Sequence, residues 1–123
     1  MNIIFPMLGE GSRFKKEGYD IPKYLLKLAE ENILYFVLYG FRFFKENNFV
    51  FLVRKDHKRF KPSSEIERVC EQLGIQKFNI ILINELTAGQ ADSVRLAFPC
   101  CEKNKPLLIF NIDTIHLGLN PNY

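Results

Sequence analysis

The feature that most restricts how this chain can fold is an alternation. Four short apolar runs, at residues 2–8, 49–53, 79–83 and 106–112, are separated by longer segments of helical character. Each run is too short for a helix and is rich in Ile, Val, Leu and Phe. None carries a polar residue at every second position, as a strand with one solvated face would. They read as strands buried on both faces.

Residues 33–48 are long enough for a helix and apolar on most of its circumference, with Lys45-Glu46-Asn47-Asn48 as a polar stop. Ser63 or Ser64 can cap a second helix that runs to Leu73, where Gly74 ends it; Ser64-Glu65-Ile66-Glu67 resembles a capping box. Residues 90–101 read as a third helix. Residues 24–28 are apolar but too short to assign. The order β-α-β-α-β-α-β with short connections predicts an α/β domain, and right-handed crossovers make it an open, doubly wound parallel sheet with helices on both faces.

The 123 residues suffice for one domain spanning residues 1–123, and no internal repeat, linker or low-complexity tract divides it. With 47% hydrophobic and 25% charged residues the composition is that of a soluble globular protein. A net charge of +3 is too mild to argue for nucleic acid or a membrane surface as a partner. The basic cluster Arg54-Lys55-Asp56-His57-Lys58-Arg59, with Lys61 after it, reads as a solvated loop. No basic stretch leads into an apolar one at the amino end, and the longest apolar segment, residues 33–44, contains Gly40 and Arg42 and is shorter than a bilayer requires. The expected location is the cytoplasm. Cys70, Cys100 and Cys101 form neither a disulfide framework nor a metal-binding spacing, which is the usage of reduced thiols. His57 and His116 lie far apart without metal spacing and read as surface or loop residues.

The fourth run has only residues 113–123 after it. A strand apolar on consecutive positions should be buried on both faces, yet nothing follows to flank it. The expectation is that the chain is the first part of a longer protein, with an edge able to pair, as in a homodimer.

Gly9-Glu10-Gly11-Ser12-Arg13 follows the first run directly. Glycines allow a tight turn and a close approach to phosphate; consecutive N–H groups in such a turn form an anion-binding nest, to which Ser12 adds a hydroxyl and Arg13 a fork of donors. Taken alone it reads equally as an ordinary strand-ending turn, and its spacing is neither that of a P-loop nor of a dinucleotide fingerprint. Nine residues beyond Arg13 comes Pro22-Lys23, where proline stiffens the chain before a single ammonium group. Alone, that pair is a surface lysine after a turn. The combination carries the weight.

Phe5-Pro6-Met7-Leu8-Gly9-Glu10-Gly11-Ser12-Arg13-Phe14, followed by Gly18-Tyr19 and Pro22-Lys23-Tyr24-Leu25, resembles the nucleotidyltransferases that activate sugar phosphates and related alcohol phosphates. The variant looks closest to enzymes of capsule and surface-polysaccharide pathways. Glu85-Leu86-Thr87-Ala88-Gly89-Gln90-Ala91-Asp92-Ser93 resembles the family's third-strand loop, and Phe110-Asn111-Ile112-Asp113-Thr114 the strand end that carries a metal-binding aspartate. The resemblance implies a Rossmann-like fold of the nucleotide-diphospho-sugar transferase type. It implies an NTP (CTP, UTP or dTTP) and a phosphorylated sugar or related phosphate as substrates, with Mg²⁺ as cofactor. Gly9, Gly11 and Ser12 would hold the triphosphate, and Leu8, Gly89 and Gln90 would lie at the base. Arg13 and Lys23 would be catalytic and Asp113 would bind Mg²⁺. Leu8 stands where the family usually has alanine. The family's catalytic domain is longer than this chain, and a second metal-binding aspartate comes from the additional part.

Overall fold

The computed structural model describes residues 1–7, 23–55, 61–83 and 94–110. Its strands in chain order are β1 (Asn2–Met7), β2 (Lys27–Leu28), β3 (Glu31–Asn32), β4 (Asn48–Arg54), β5 (Phe78–Ile83) and β6 (Leu107–Ile109), and its α-helices are α1 (Ile33–Gly40) and α2 (Pro62–Leu73). Three 3-10 segments, Lys23–Leu25, Arg42–Phe44 and Arg95–Cys100, complete the described elements.

The main sheet has the order β5-β4-β1-β6, and every neighbouring pair in it is parallel. Ile4 stands opposite both Val50 and Ile109, and Phe51 opposite Ile80. The chain thus steps outward from β1 to β4 to β5, then returns past β1 to lay down β6. Right-handed crossovers put helices formed on the outward steps on one face and the returning segment on the other. The two apolar clusters follow that rule. Ile3, Phe5, Met7, Phe49, Phe51 and Val53 pack against Leu34, Val37, Leu38 and Phe41 at α1 and Ile66, Val69 and Cys70 of α2. The alternate residues Ile4, Val50 and Leu52 pack with Ile83 against Val94 and Ala97 on the opposite face. Phe5 is the hub of the first cluster: its ring stacks on Phe51 at 5.2 Å and meets the edge of Phe41 at 5.3 Å.

Helix 33–48 is shorter than its apolar content suggests. It stops at Gly40, the chain turns at Phe41 (φ −101°, ψ 14°), and Asn48 already belongs to β4. The turn lets Phe41 bury its ring between Phe5 and Phe110, 4.8 Å from the latter. Sheet pairing claims the last of the polar residues read as a helix stop: the Asn48 N–H donates to the Met1 carbonyl at 3.1 Å. The start of α2 also differs. Pro62 occupies the first turn and Lys61, in the left-handed region at φ 52°, precedes it without a side-chain cap. Proline there replaces serine capping by pre-setting φ where no N–H is needed. The expected stop holds: Gly74 adopts φ 75°, and the Ile75 N–H closes on the Cys70 carbonyl at 2.8 Å.

The described part of helix 90–101 is a 3-10 segment, Arg95–Cys100, with Pro99 inside it; residues 90–93 lie outside the described residues. Proline lacks the N–H that an α-helical turn would use there. The stretch 24–28 that periodicity left unassigned holds the end of the 3-10 segment Lys23–Leu25 and β2, which pairs with β3 in a hairpin with Ala29 at φ 59° in its turn. Strand β6 departs from the expected burial: Leu108 packs against the core, whereas Leu107 and Ile109 are 48% and 46% exposed. Among the described residues β6 pairs with β1 alone.

Candidate functional site at the carboxyl edge of the sheet

A parallel sheet brings all its strand ends of one polarity to one edge. Here Met7 is paired with Val53, Arg54 with Ile83, and the Phe110 N–H donates to the Ile4 carbonyl at 2.9 Å. Neighbouring strands lie about 5 Å apart, so the four carboxyl ends form one short row. Because the order reverses beside β1, the row contains a topological switch point between β1 and β6. Open α/β sheets bind ligands outside that crevice, where diverging connections leave room and backbone N–H groups are available.

The segments that continue from these ends carry the residues singled out in the sequence. Leu8, Gly9, Gly11, Ser12 and Arg13 follow β1, Gly89 and Gln90 follow β5, and Asp113 follows β6; all eight lie outside the described residues, as do His57 and His116. Lys23 is described, at the start of the 3-10 segment Lys23–Leu25. Lys23 therefore begins an ordered turn. Tyr24, 2% exposed, is buried in the core cluster with Met7 and Leu34 and pins that turn to the sheet. Leu26 accepts the Ile33 N–H at 2.9 Å, closing the short hairpin immediately before α1.

A charged network that sequence patterning missed stands beside this hairpin. Helices that follow parallel strands begin at the carboxyl edge, so the starts of α1 and α2 are both there. Arg68 Nη2 donates to Glu31 Oε1 at 3.0 Å and to Glu65 Oε2 at 2.9 Å, and Nη1 donates to Gln72 Oε1 at 2.8 Å. Asn32 Nδ2 donates to the same Glu65 oxygen at 3.1 Å, while Asn32 Oδ1 accepts the Tyr35 N–H at 2.8 Å and caps α1. The hydrogen bonds that Arg68 donates to Glu31 and then to Glu65 raise the guanidinium pKa above the ordinary arginine value. Leu25, Lys27 and Glu30 extend this cluster into an open depression of about 420 Å³. The Glu65/Arg68 pair, three residues apart on α2, was the available signal; the link to Glu31 crosses 37 residues and left none.

Among the described residues no group of three His, Cys, Asp or Glu side chains could hold a metal ion, and no helix is long and apolar enough to cross a membrane. Cys70, Cys100 and Cys101 are all unpaired. Burial, assisted by the charge of Glu67, pushes the Cys70 thiol up to about 12.

The parallel sheet order and its switch point define the class: this is the Rossmann-like fold of the nucleotide-sugar pyrophosphorylases and nucleotidyltransferases. Among solved structures, the nucleoside-diphosphate-sugar pyrophosphorylase from Vibrio cholerae RC9 superimposes with a TM-score of 0.81 and 30% sequence identity, over 98% of this chain and 51% of that one. The inositol-1-phosphate CTP transferase from T. maritima follows with a TM-score of 0.69 and 20% identity, over 91% of this chain and 43% of the other. A UDP-glucose pyrophosphorylase complexed with UDP-glucose gives a TM-score of 0.64 and 12% identity, over 91% and 45%. These last two show a shared fold. The chain spans about half the length of the solved structures it matches. No family model and no curated protein matches the sequence.

Proposed function

We propose that this chain is the nucleotide-binding half of a Mg²⁺-dependent nucleotidyltransferase domain. It would act in the cytoplasm on a pyrimidine NTP (CTP, UTP or dTTP) and a phosphorylated sugar or related phosphate used to make surface polysaccharide. The observation that carries the reading is the switch point between β1 and β6. β1 and β6 pair in parallel there, Asn2 with Leu107 and Ile4 with Ile109. In the sequence, the glycine loop and the metal-binding aspartate implied by the resemblance come shortly after the two strands that flank the crevice.

The chemistry is an in-line displacement. A phosphate oxygen of the acceptor forms a bond to the α-phosphorus of the NTP as the bond from that phosphorus to the bridging oxygen breaks, and pyrophosphate departs with the electron pair. The acceptor is already a competent nucleophile, so positioning and charge neutralisation carry the catalysis. In this reading the N–H groups of residues 9–13 and the Ser12 hydroxyl hold the triphosphate, and Arg13 neutralises the departing pyrophosphate. Lys23 bridges the α-phosphate and the incoming phosphate, while Leu8, Gly89 and Gln90 line the base. Asp113 would hold Mg²⁺, a hard cation suited to one carboxylate plus phosphate oxygens, whose charge offsets that gathered on the triphosphate.

Thermal unfolding with Mg²⁺ and each NTP tests the reading. A ligand that binds only the folded state stabilises it by about 2.7 kcal/mol at a concentration of 100 Kd. A pyrimidine nucleotide is expected to raise Tm, and Arg13→Ala to abolish the rise without lowering the unliganded Tm. No response to any NTP at millimolar concentration overturns the reading. The half-length match favours a second possibility, binding without turnover, and a pyrophosphate-release assay on the same protein separates the two.

A further inference from the structure

We infer that Arg68 is a positioning residue for Lys23, acting through Glu31 and the β2–β3 hairpin that follows the lysine. The inference rests on the nucleotidyltransferase reading, in which the Lys23 ammonium must be held against two phosphate groups. A hairpin with two residues in each strand does not hold its own shape in water. This one is tied at its open end by the Leu26–Ile33 hydrogen bond, and its second strand supplies both Glu31 and Asn32 to α2. Arg68 grips both Glu31 oxygens, at 3.0 and 3.4 Å, in the fork geometry that fixes direction as well as distance. Helix α2 is a firm base for that grip, because Ile66, Val69 and Cys70 are fully buried against the sheet.

The same hairpin continues backwards without a break into Leu25, Tyr24 and Lys23. Tyr24 fixes where the turn lies, and the Arg68–Glu31 grip fixes how the chain leaves it. Both partners are partly exposed, 40% for Arg68 and 25% for Glu31, so their ion pair adds little to global stability. A guanidinium that donates five hydrogen bonds yet has small net stabilising value, at the carboxyl edge and next to the segment bearing Lys23, fits a part that sets geometry.

A binding cycle on the full chain tests this, with calorimetric titration of Mg²⁺ and CTP, UTP or dTTP into wild type, Arg68→Met, Lys23→Ala and the double variant. Methionine keeps the stem of the side chain and removes the fork. Arg68→Met is expected to weaken the affinity about threefold or more, and to have no further effect once Lys23 is alanine, because residues acting through one another are not additive. Arg68→Lys is expected to recover only part of the loss. Unchanged affinity in Arg68→Met, or a loss of equal size with and without Lys23, overturns the inference while leaving nucleotide binding intact. Failure of wild type to bind any of the three overturns the functional reading and the inference with it. Should Arg68→Met fail to fold, Glu31→Gln takes its place in the same cycle with the same expectations.

Discussion

Asn2 and Asn48, 46 positions apart, share one hydrogen-bond system at the amino end of the sheet. Asn48 Nδ2 donates to Asn2 Oδ1 at 2.9 Å and to the Cys100 carbonyl at 2.8 Å; Asn2 Oδ1 also accepts the Glu102 N–H at 2.8 Å. Both amides are buried, so each bond lost leaves a polar group without water to replace its partner. Asn48→Ala is expected to cost about 1–3 kcal/mol in chemical denaturation, and a loss below about 0.5 kcal/mol would show that the pair is not a staple. In the sequence these asparagines mark only a strand start and a helix stop, since the turn at residues 100–102 that completes the system is remote. Cys70 supplies a pH dependence. Its thiol is held up to about 12 from 9.0, so the folded state favours the protonated form. The contribution is whole below the unfolded value and is lost as pH rises through the window from about 9 towards about 12. Stability should therefore fall more steeply above pH 9 in wild type than in Cys70→Ala, and parallel curves would contradict that burial.

At the scale of elements, the main-sheet strands were legible, whereas the β2–β3 hairpin and most helix ends were not. Runs such as Phe49-Val50-Phe51-Leu52-Val53 have a length and β-branched, aromatic content that only a buried strand satisfies. Helix ends depend on tertiary demands. Phe41 leaves the helix to fill a space between Phe5 and Phe110, and Pro62 opens α2, so Ser64, read as the cap of a capping box, lies inside the helix instead. Gly74 was legible because the left-handed stop is a local need. A Cβ there would meet only Lys45 Cδ at 3.7 Å and Nζ at 3.9 Å, ordinary contacts, so Gly74→Ala should cost only the backbone strain, about 1–2 kcal/mol by thermal unfolding. A loss well beyond that would mean that the Lys45 contact is tighter than these distances indicate.

At the scale of the whole molecule, a doubly wound parallel sheet follows from the alternation of elements, its order β5-β4-β1-β6 is set by the structure, and the position of the candidate site follows from that order. The Arg68 network was not legible, because its four partners come from β3, α1's cap and two turns of α2. Leu107 and Ile109 are about half exposed on β6, a parallel strand with one partner among the described residues. Such an edge templates further pairing, so light scattering is expected to find self-association that Ile109→Lys weakens; a monomer unaffected by concentration would contradict it. The most direct test of the central claim is a map of amide chemical-shift changes as Mg²⁺ and a pyrimidine NTP are titrated into the protein. Shifts concentrated at the carboxyl ends, Met7, Arg54, Ile83 and Phe110, with Asn2, Asn48, Phe78 and Leu107 unmoved at the opposite edge, are expected; shifts confined to those amino ends, or none at all, would contradict a nucleotide site at the switch point.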